Sequence, residues 1–496
     1  MAQIIDFINS IQVPGSVVII WQVVYVLLLI AVSIRIIMDT RDSAKALAYL
    51  LLIIFLPIAG IIIYFTFGIN YRKKRLYSRK LIEDEALYQQ IYQAFKSTTE
   101  ENLNSYPHYT RGKEPLVKLV FNNESSPLTE GNRVQLLLNG DQKFPALLQA
   151  LEKAEHHIHL EYYIVDDDEI GNQLAEVLVR KARQGVQVRF IFDDFGSRRL
   201  KRKLVKKLRD GGVEAYPFYQ VNFVWLANRL NYRNHRKIII IDGQEAFVGG
   251  INIADRYTNQ LPNALFWRDT HLQLQGPGVL YLQYLFLTSW FFASGQKQQF
   301  QPEFFYQEPF SAGGDALVQI SAGGPDTRNA SILLSTEAAI SAARKCLYIS
   351  TPYFIPGDSI LDSIKVAALG GVDVRLLVPG ISDSWLVNSA AKSYYNELLE
   401  NKVRIFLYQK GFLHAKTMVI DDALTVVGTA NMDIRSYELN FEVNAFVYDE
   451  QVNDQLKTAF LRDLEDSLEI VPEEWLRRPR WRQLGDATAR MLSPLL

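Results

Sequence analysis

The chain has 496 residues, 48% hydrophobic and 22% charged, with 53 Lys and Arg against 54 Asp and Glu, for a net charge of −1. That length allows two to four domains, and the balanced charge excludes a global field that would draw the whole chain to nucleic acid or lipid, so any attraction for anions is local. A single cysteine, Cys346, excludes an intramolecular disulfide and suits a reducing compartment without requiring one.

The apolar excess lies at the start. Val17 to Ile34 reads VVIIWQVVYVLLLIAVSI with no charge before Arg35, and Ala46 to Gly68 reads ALAYLLLIIFLPIAGIIIYFTFG, again uncharged. At 1.5 Å per residue, about 20 such residues cross the roughly 30 Å hydrocarbon core. Residues 1–70 are therefore expected to form two transmembrane helices, with Pro57 and Gly60 tolerated inside the second. A cleaved signal peptide competes for the first run, but the preceding residues hold Asp6 and no Lys or Arg. A buried globular hairpin is opposed by the lengths of the two runs. Arg72, Lys73, Lys74, Arg75, Arg79 and Lys80 follow the second run. Positive flanks stay cytoplasmic, which predicts a multi-pass cell-membrane protein with its large C-terminal portion in the cytoplasm. The basic run would lie on anionic headgroups, each cation contributing on the order of 1 kcal/mol.

Residues 71–112 read as a linker, helical and then polar. The rest reads as two similar halves, 113–315 and 316–496. In the first, HIHLEYYIVDD (from His157) is strand-like, EIGNQLAEVLVRKARQG helical and VQVRFIFDD strand-like; in the second, CLYISTPYFIPGD (from Cys346), SILDSIKVAALGG and VDVRLLVPG repeat that order. Strand, helix and strand imply βαβ units with a parallel component, in an α/β fold.

Both halves then reach one motif. His235-x-Lys237-x4-Asp242 is followed by Gly249-Gly250-Ile251-Asn252, and His414-x-Lys416-x4-Asp421 by Gly428-Thr429-Ala430-Asn431. Side chains alternate along a strand, so each His and Lys share a face. Asp242-Gly243 and Asp421-Asp422 are turn residues, and the hairpin they close would return each asparagine beside its own His/Lys pair. The turn position gives the two aspartates a structural role rather than proton transfer. Lysines and asparagines supply donors to anionic oxygens, and two histidines can supply a nucleophile and an acid. Those residue types are what breaking and remaking a phosphodiester requires.

These motifs resemble the HKD signature of the phospholipase D superfamily, intact in both copies. The resemblance implies two α/β sandwich halves related by a pseudo-two-fold axis, with the active site between them. It implies catalytic residues at His235, Lys237, Asp242, His414, Lys416 and Asp421, and phosphate contacts from Asn252, Asn431 and Thr429. It also implies a transfer without metal or other cofactor, in which one histidine forms a phosphohistidine and the other moves the proton; attack is assigned to His235 and acid/base work to His414. Asp269 and Glu442 resemble the downstream acids that orient the histidines, Asp269 being the weaker match by spacing. Many members carry a serine where this chain has Gly250, while Thr429 keeps the hydroxyl.

The contexts LPIAGIIIYFTFGINYRKKR, NHRKIIIIDG, GGINIADRY, STPYFIP, GFLHAKTMVID, GTANMDIRS and the terminal MLSPLL resemble the bacterial cardiolipin synthase family from about residue 35 to the end. That implies phospholipid substrates: two phosphatidylglycerols, or one and another phospholipid, joined with release of glycerol at a bilayer of anionic lipids, with no nucleic acid as partner. Hydrolysis of a phospholipid, with water as acceptor, is the alternative; a nucleic-acid phosphodiesterase is opposed by the apolar N-terminus.

Other features carry two readings each. RRLKRKLVKKLR (from Arg198), with Leu200, Leu204, Val205 and Leu208 on one face and Tyr216, Phe218, Tyr219, Phe223 and Trp225 following, is either a membrane-facing lip or a solvated basic helix beside core aromatics. The tail from Trp475, with Trp481, Leu484, Met491 and Leu492 among arginines, is either an interfacial anchor or domain packing. His156, His157 and His159 cluster without the Cys or paired acids of a zinc set.

Overall fold

The computed structural model describes residues 15–40, 43–65, 85–200, 202–218, 232–262, 264–296, 301–305 and 313–491. The basic run at 72–80, Tyr219, Phe223, Trp225 and Leu492 lie outside them. The chain divides into two compact units, an N-terminal apolar one and a larger one holding both halves.

In the N-terminal unit, α1 (Gly15–Asp39) is 25 residues long, apolar and largely exposed, long enough to cross a membrane. The second apolar run does not form the expected spanning helix. It divides into α2 (Ser43–Phe55) and α3 (Pro57–Ile63) at Leu56, whose φ of −135° and ψ of 69° leave the helical region. Pro57 explains the break: it lacks an N–H, and its ring disfavours helical geometry at the residue before it. α3 turns back against α2 so closely that a Cβ on Gly60 would lie 2.8 Å from the Ile53 backbone. At 1.5 Å per residue the pieces are roughly 20 and 10 Å long, too short to cross. The expected two-helix membrane hairpin is thus corrected to one long apolar helix and a broken pair. Val32 and Ile36 of α1 pack with Ile53 and Tyr64.

In the larger unit, the first half contributes β1 (Thr129–Leu138), β2 (His157–Tyr162), β3 (Gln187–Phe192), β4 (Glu214–Pro217), β5 (Lys237–Ile241), β6 (Glu245–Gly249), β7 (Phe266–Arg268) and β8 (Thr270–Gln275). The second contributes β9 (Ala316–Gly323), β10 (Cys346–Ser350), β11 (Phe354–Ile355), β12 (Asp373–Pro379), β13 (Arg404–Tyr408), β14 (Gly411–Leu413), β15 (Thr417–Ile420), β16 (Leu424–Gly428), β17 (Met432–Asp433), β18 (Glu442–Tyr448) and β19 (Ser467–Glu469). Fifteen of these strands form one sheet in the order β19-β13-β12-β10-β15-β16-β18-β9-β1-β8-β6-β5-β2-β3-β4. Read outward from the β9–β1 junction, both halves follow one plan: β1-β8-β6-β5-β2-β3-β4 matches β9-β18-β16-β15-β10-β12-β13. The expected βαβ units are present, with β2 parallel to β3 around the helix Glu169–Arg183 and β10 parallel to β12 around Asp358–Leu369.

The motif strands β5 and β15 are wholly buried and pair antiparallel with β6 and β16. At their turns Asp242 and Asp421 share a φ of 53°. Asp242 accepts backbone N–H groups of Glu155, His156 and His157, each at 2.8 Å, and Asp421 accepts those of Arg344, Lys345 and Cys346 at 2.7–3.2 Å. Both aspartates, grouped by the resemblance with the catalytic set, lie at the far end of the motif strand, and each fixes the start of the neighbouring strand, β2 or β10.

The basic helix forms over Arg202–Asp210, and Leu200, Leu204 and Leu208 are buried in the core of the first half. Its apolar face is therefore occupied by protein, as are Tyr216 against Trp290 and Phe218 against Phe441. The tail packs in part: Arg478 stacks on Trp475 and pairs with Asp486 at 3.1 Å, while Trp481, Leu484 and Met491 remain exposed. His157 and His159 are buried and share the side chain of Gln283 at 3.2 Å.

Candidate active site

The two motifs meet in a cleft of about 980 Å³ between the halves, lined by His235, Asn252, His414 and Asn431. The site is laced across the two-fold relation. His235 N–H donates to Phe441 O at 2.9 Å and Phe441 N–H to Arg233 O at 2.8 Å, while His414 N–H donates to Arg268 O at 2.7 Å beside the parallel β14–β7 pair. The residue before each histidine thus pairs with the residue before the other half's acid.

The side chains repeat that exchange. His235 Nδ1 lies 2.8 Å from Glu442 Oε2, and His414 Nδ1 lies 2.6 Å from Asp269 Oδ2. A carboxylate can only accept, so each Nδ1 carries the hydrogen and each Nε2 keeps a lone pair. Asp269, the weaker match by spacing, holds its histidine as closely as Glu442 does.

The acids are supported differently. Glu442 accepts the Thr429 hydroxyl at 2.6 Å and Asn440 Nδ2 at 3.1 Å. Asp269, one methylene shorter, accepts the backbone N–H of Thr270 at 2.7 Å and lies over Gly250, where a Cβ would come within 2.1 Å of Oδ1. Gly250 and Thr429 occupy equivalent positions, and the hydroxyl of Thr429, a residue expected on phosphate, donates to Glu442. The missing side chain at Gly250 makes room for the other acid. Arg268 braces Asp269 from behind: it binds Asp463 at 2.8 Å and donates to the Asp269 carbonyl at 2.7 Å.

Lys237 and Lys416 are buried, and each Nζ donates to the carbonyl of its own histidine, at 2.8 Å for Lys237. Burial pulls Lys237 down to about 7 and Lys416 down to about 8, against the pull of Glu442 and Asp269. Burial likewise lowers His235 to about 4 and His414 to about 3, with the lysines adding to it. Both imidazoles are therefore neutral at pH 7. Asn252 is oriented by Ile164 N–H at 3.2 Å and by donation to Tyr257 Oη at 2.8 Å, whereas Asn431 keeps a buried Oδ1 without a partner among the described residues. Tyr163 sits edge-on to His235 with ring centroids 4.7 Å apart, and Trp267 does the same to His414 at 5.4 Å.

Sequence reasoning missed Arg268, Asp463, Asn440 and the aromatic walls, since none belongs to a repeated spacing. His271 is buried, and its Nδ1 accepts the N–H of Ile251 at 3.4 Å.

Residues 147–273 and 337–464 match the family described as cardiolipin synthase, PLD-like domain, and residues 27–68 match the phospholipase D-nuclease N-terminal family. The chain is 42% identical over 459 residues, covering 92% of its length and 88% of the relative's, to cardiolipin synthase 2 of Bacillus anthracis. It is also 42% identical to the cardiolipin synthase of Geobacillus sp. (strain WCH70), over 92% of its own length and 90% of that protein's. Among solved structures, the phosphatidylserine synthase of Haemophilus influenzae Rd KW20 superposes with a TM-score of 0.57 at 14% identity, covering 78% of this chain and 100% of that one, which shows a shared fold.

Proposed function

This chain belongs to the cardiolipin synthase family of phospholipase D-like phosphatidyltransferases, and from that premise we propose that it joins two phosphatidylglycerols into cardiolipin and glycerol through a phosphohistidine formed in the cleft. The observation that carries the mechanism is the reciprocal pair, His235 on Glu442 and His414 on Asp269. Each carboxylate holds its ring in the tautomer with Nε2 free, ready to attack phosphorus or to exchange a proton, and stabilises the imidazolium when it forms.

Lys237, Lys416, Asn252 and Asn431 supply the donors for the phosphoryl oxygens as charge builds in the transition state. The substrate contributes to its own activation. Burial depresses both histidines and two buried lysines add to it; an arriving phosphodiester anion offsets the lysines, so that one imidazole can gain the proton the leaving glycerol needs. The acceptor hydroxyl then returns that proton as it displaces the histidine. Membrane association follows from α1, and the cations at 72–80 support a cytoplasmic place for the chain beyond them. We also keep the division into an apolar segment to residue 70, a linker to 112 and halves at 113–315 and 316–496.

The test is a lipid-product assay with purified protein in phosphatidylglycerol vesicles. The expected products are cardiolipin and glycerol in equal amounts; phosphatidic acid with glycerol and no cardiolipin would establish the hydrolase instead. A donor bearing nitrophenol needs no acid to leave. Following the family resemblance, His414→Ala is expected to release one equivalent of nitrophenolate and His235→Ala none; the opposite result would reverse the two roles.

A further inference from the structure

Positive charge in the cleft is divided unevenly. Five arginines line it: Arg198, Arg199, Arg233, Arg256 and Arg435. Arg256 pairs with Asp166 at 2.8 Å, and Arg199 lies 3.8 Å from the same carboxylate. Arg198, Arg233 and Arg435 make no side-chain ion pair or hydrogen bond among the described residues. Arg233 is only 6% exposed, and its guanidinium stacks on Phe195 at 3.9 Å from the ring centroid, with Arg198 on the same ring at 4.1 Å. Arg198 and Arg435 are close enough to disfavour the charge on Arg233. Asp193 favours the charge on Arg233 but makes no ion pair with it, its carboxylate accepting the backbone N–H groups of Asn234, Phe195 and Gly196 at 2.7–3.1 Å. A buried guanidinium beside two like charges, whose one neighbouring carboxylate is already engaged by backbone groups, is favoured by the arrival of a further anion.

The reacting phosphate does not explain this charge. Its lysines and asparagines come equally from both motifs, whereas the free arginines break the two-fold relation. Arg233, two residues before His235, has Phe412 as its counterpart before His414. Arg435 and Arg256 are counterparts, each four residues after its motif asparagine, but only Arg256 has been neutralised. The transfer itself calls for such an asymmetry: two phosphodiesters must occupy the cleft, and only one of them reacts.

We propose that Arg198, Arg233 and Arg435 form a second anion site, which holds the phosphodiester of the acceptor phospholipid while its free hydroxyl meets the phosphatidyl-histidine. The site rests on the transferase reading above and deepens it. The hydroxyl oxygen bonds to phosphorus, the P–N bond to histidine breaks, and the hydroxyl proton passes to the other histidine. Water and glycerol reach the same intermediate without using these arginines, so the site selects a phospholipid acceptor over either. Arginines that only gather anionic lipid at the mouth of the cleft would serve donor and acceptor alike.

The experiment compares two acceptors in one preparation of full-length protein. Cardiolipin formation from phosphatidylglycerol uses an acceptor with a phosphate; exchange of labelled glycerol into phosphatidylglycerol uses one without. In Arg435→Gln and Arg198→Gln, cardiolipin formation is expected to fall about tenfold or more relative to exchange, as for loss of a charge-assisted contact. The KM for phosphatidylglycerol as acceptor should rise. Equal loss of both reactions, or no change in their ratio, overturns the second site. The more buried Arg233→Gln is a third variant, and the two cleft-facing substitutions decide the matter if it does not fold. A wild-type protein that exchanges glycerol but makes no cardiolipin would overturn the transferase reading itself, an outcome distinct from equal losses in the variants.

Discussion

Glu442 and Asp269 perform one task with side chains of different length, and the residues opposite them compensate. Glu442 reaches His235 with a hydroxyl from Thr429 behind it; Asp269 reaches His414 only because Gly250 has no side chain. Glu442→Gln and Asp269→Asn keep the shape but no longer fix the reactive tautomer, and each is expected to lower kcat by about a hundredfold or more with little change in KM. Gly250→Ser should displace Asp269 and resemble Asp269→Asn; full activity in it would refute the close packing. The depressed lysines predict two opposed pH trends. Lys237, held near 7, and Lys416, held near 8, lose their charge above those values, so kcat/KM should fall as pH rises through 7 to 8. Stability should move the other way. Between about 7 and the ordinary lysine value of 10.5 the unfolded chain binds more protons than the folded one, so the fold gains stability as pH rises there and loses it as pH falls through the folded values. Denaturant midpoints and kcat/KM recorded over one pH series would reveal any departure from that opposition. The histidines and lysines were legible in the sequence because their types and offsets repeat, and the acids through the family resemblance. Which acid serves which histidine was not, because spacing records neighbours along the chain and this contact joins residues 207 apart.

The hairpin that carries each motif is fixed at its far end by an aspartate in the left-handed region, gathering backbone N–H groups from the adjoining strand. Asp421→Ala would leave three such donors unmet at the start of β10, lowering stability by roughly 1–3 kcal/mol while the folded fraction keeps its kcat. A loss of turnover per folded molecule would instead place Asp421 in the chemistry. These turns, the βαβ units and the buried strands were readable from alternation and turn residues. The second apolar run was misread because hydropathy and length measure only the capacity to cross. They do not register that Leu56, before Pro57, leaves the helix, or that Gly60 admits the returning chain. Pro57→Ala is expected to join the two pieces, raising helix content by circular dichroism; an unchanged spectrum would show that the fold-back has another cause.

At the scale of the whole molecule, the apolar unit and the catalytic unit are separate compact bodies, and the site lies wholly within the second. Removing residues 1–65 is therefore expected to abolish retention on vesicles while leaving turnover of dispersed short-chain phosphatidylglycerol. A truncated protein that still sediments with vesicles would move the membrane contact to the exposed Trp481, Leu484 and Met491. The equivalence of the two halves has a temporal side. During synthesis His235 leaves the ribosome 207 residues ahead of Glu442, and Asp269 precedes His414 by 145. From the emergence of Asp269 until that of His414 the growing chain therefore holds a histidine and an acid that are not partners. Neither reciprocal pair can close before residue 414, and both are complete only after Glu442, so the site is the product of nearly the whole polypeptide.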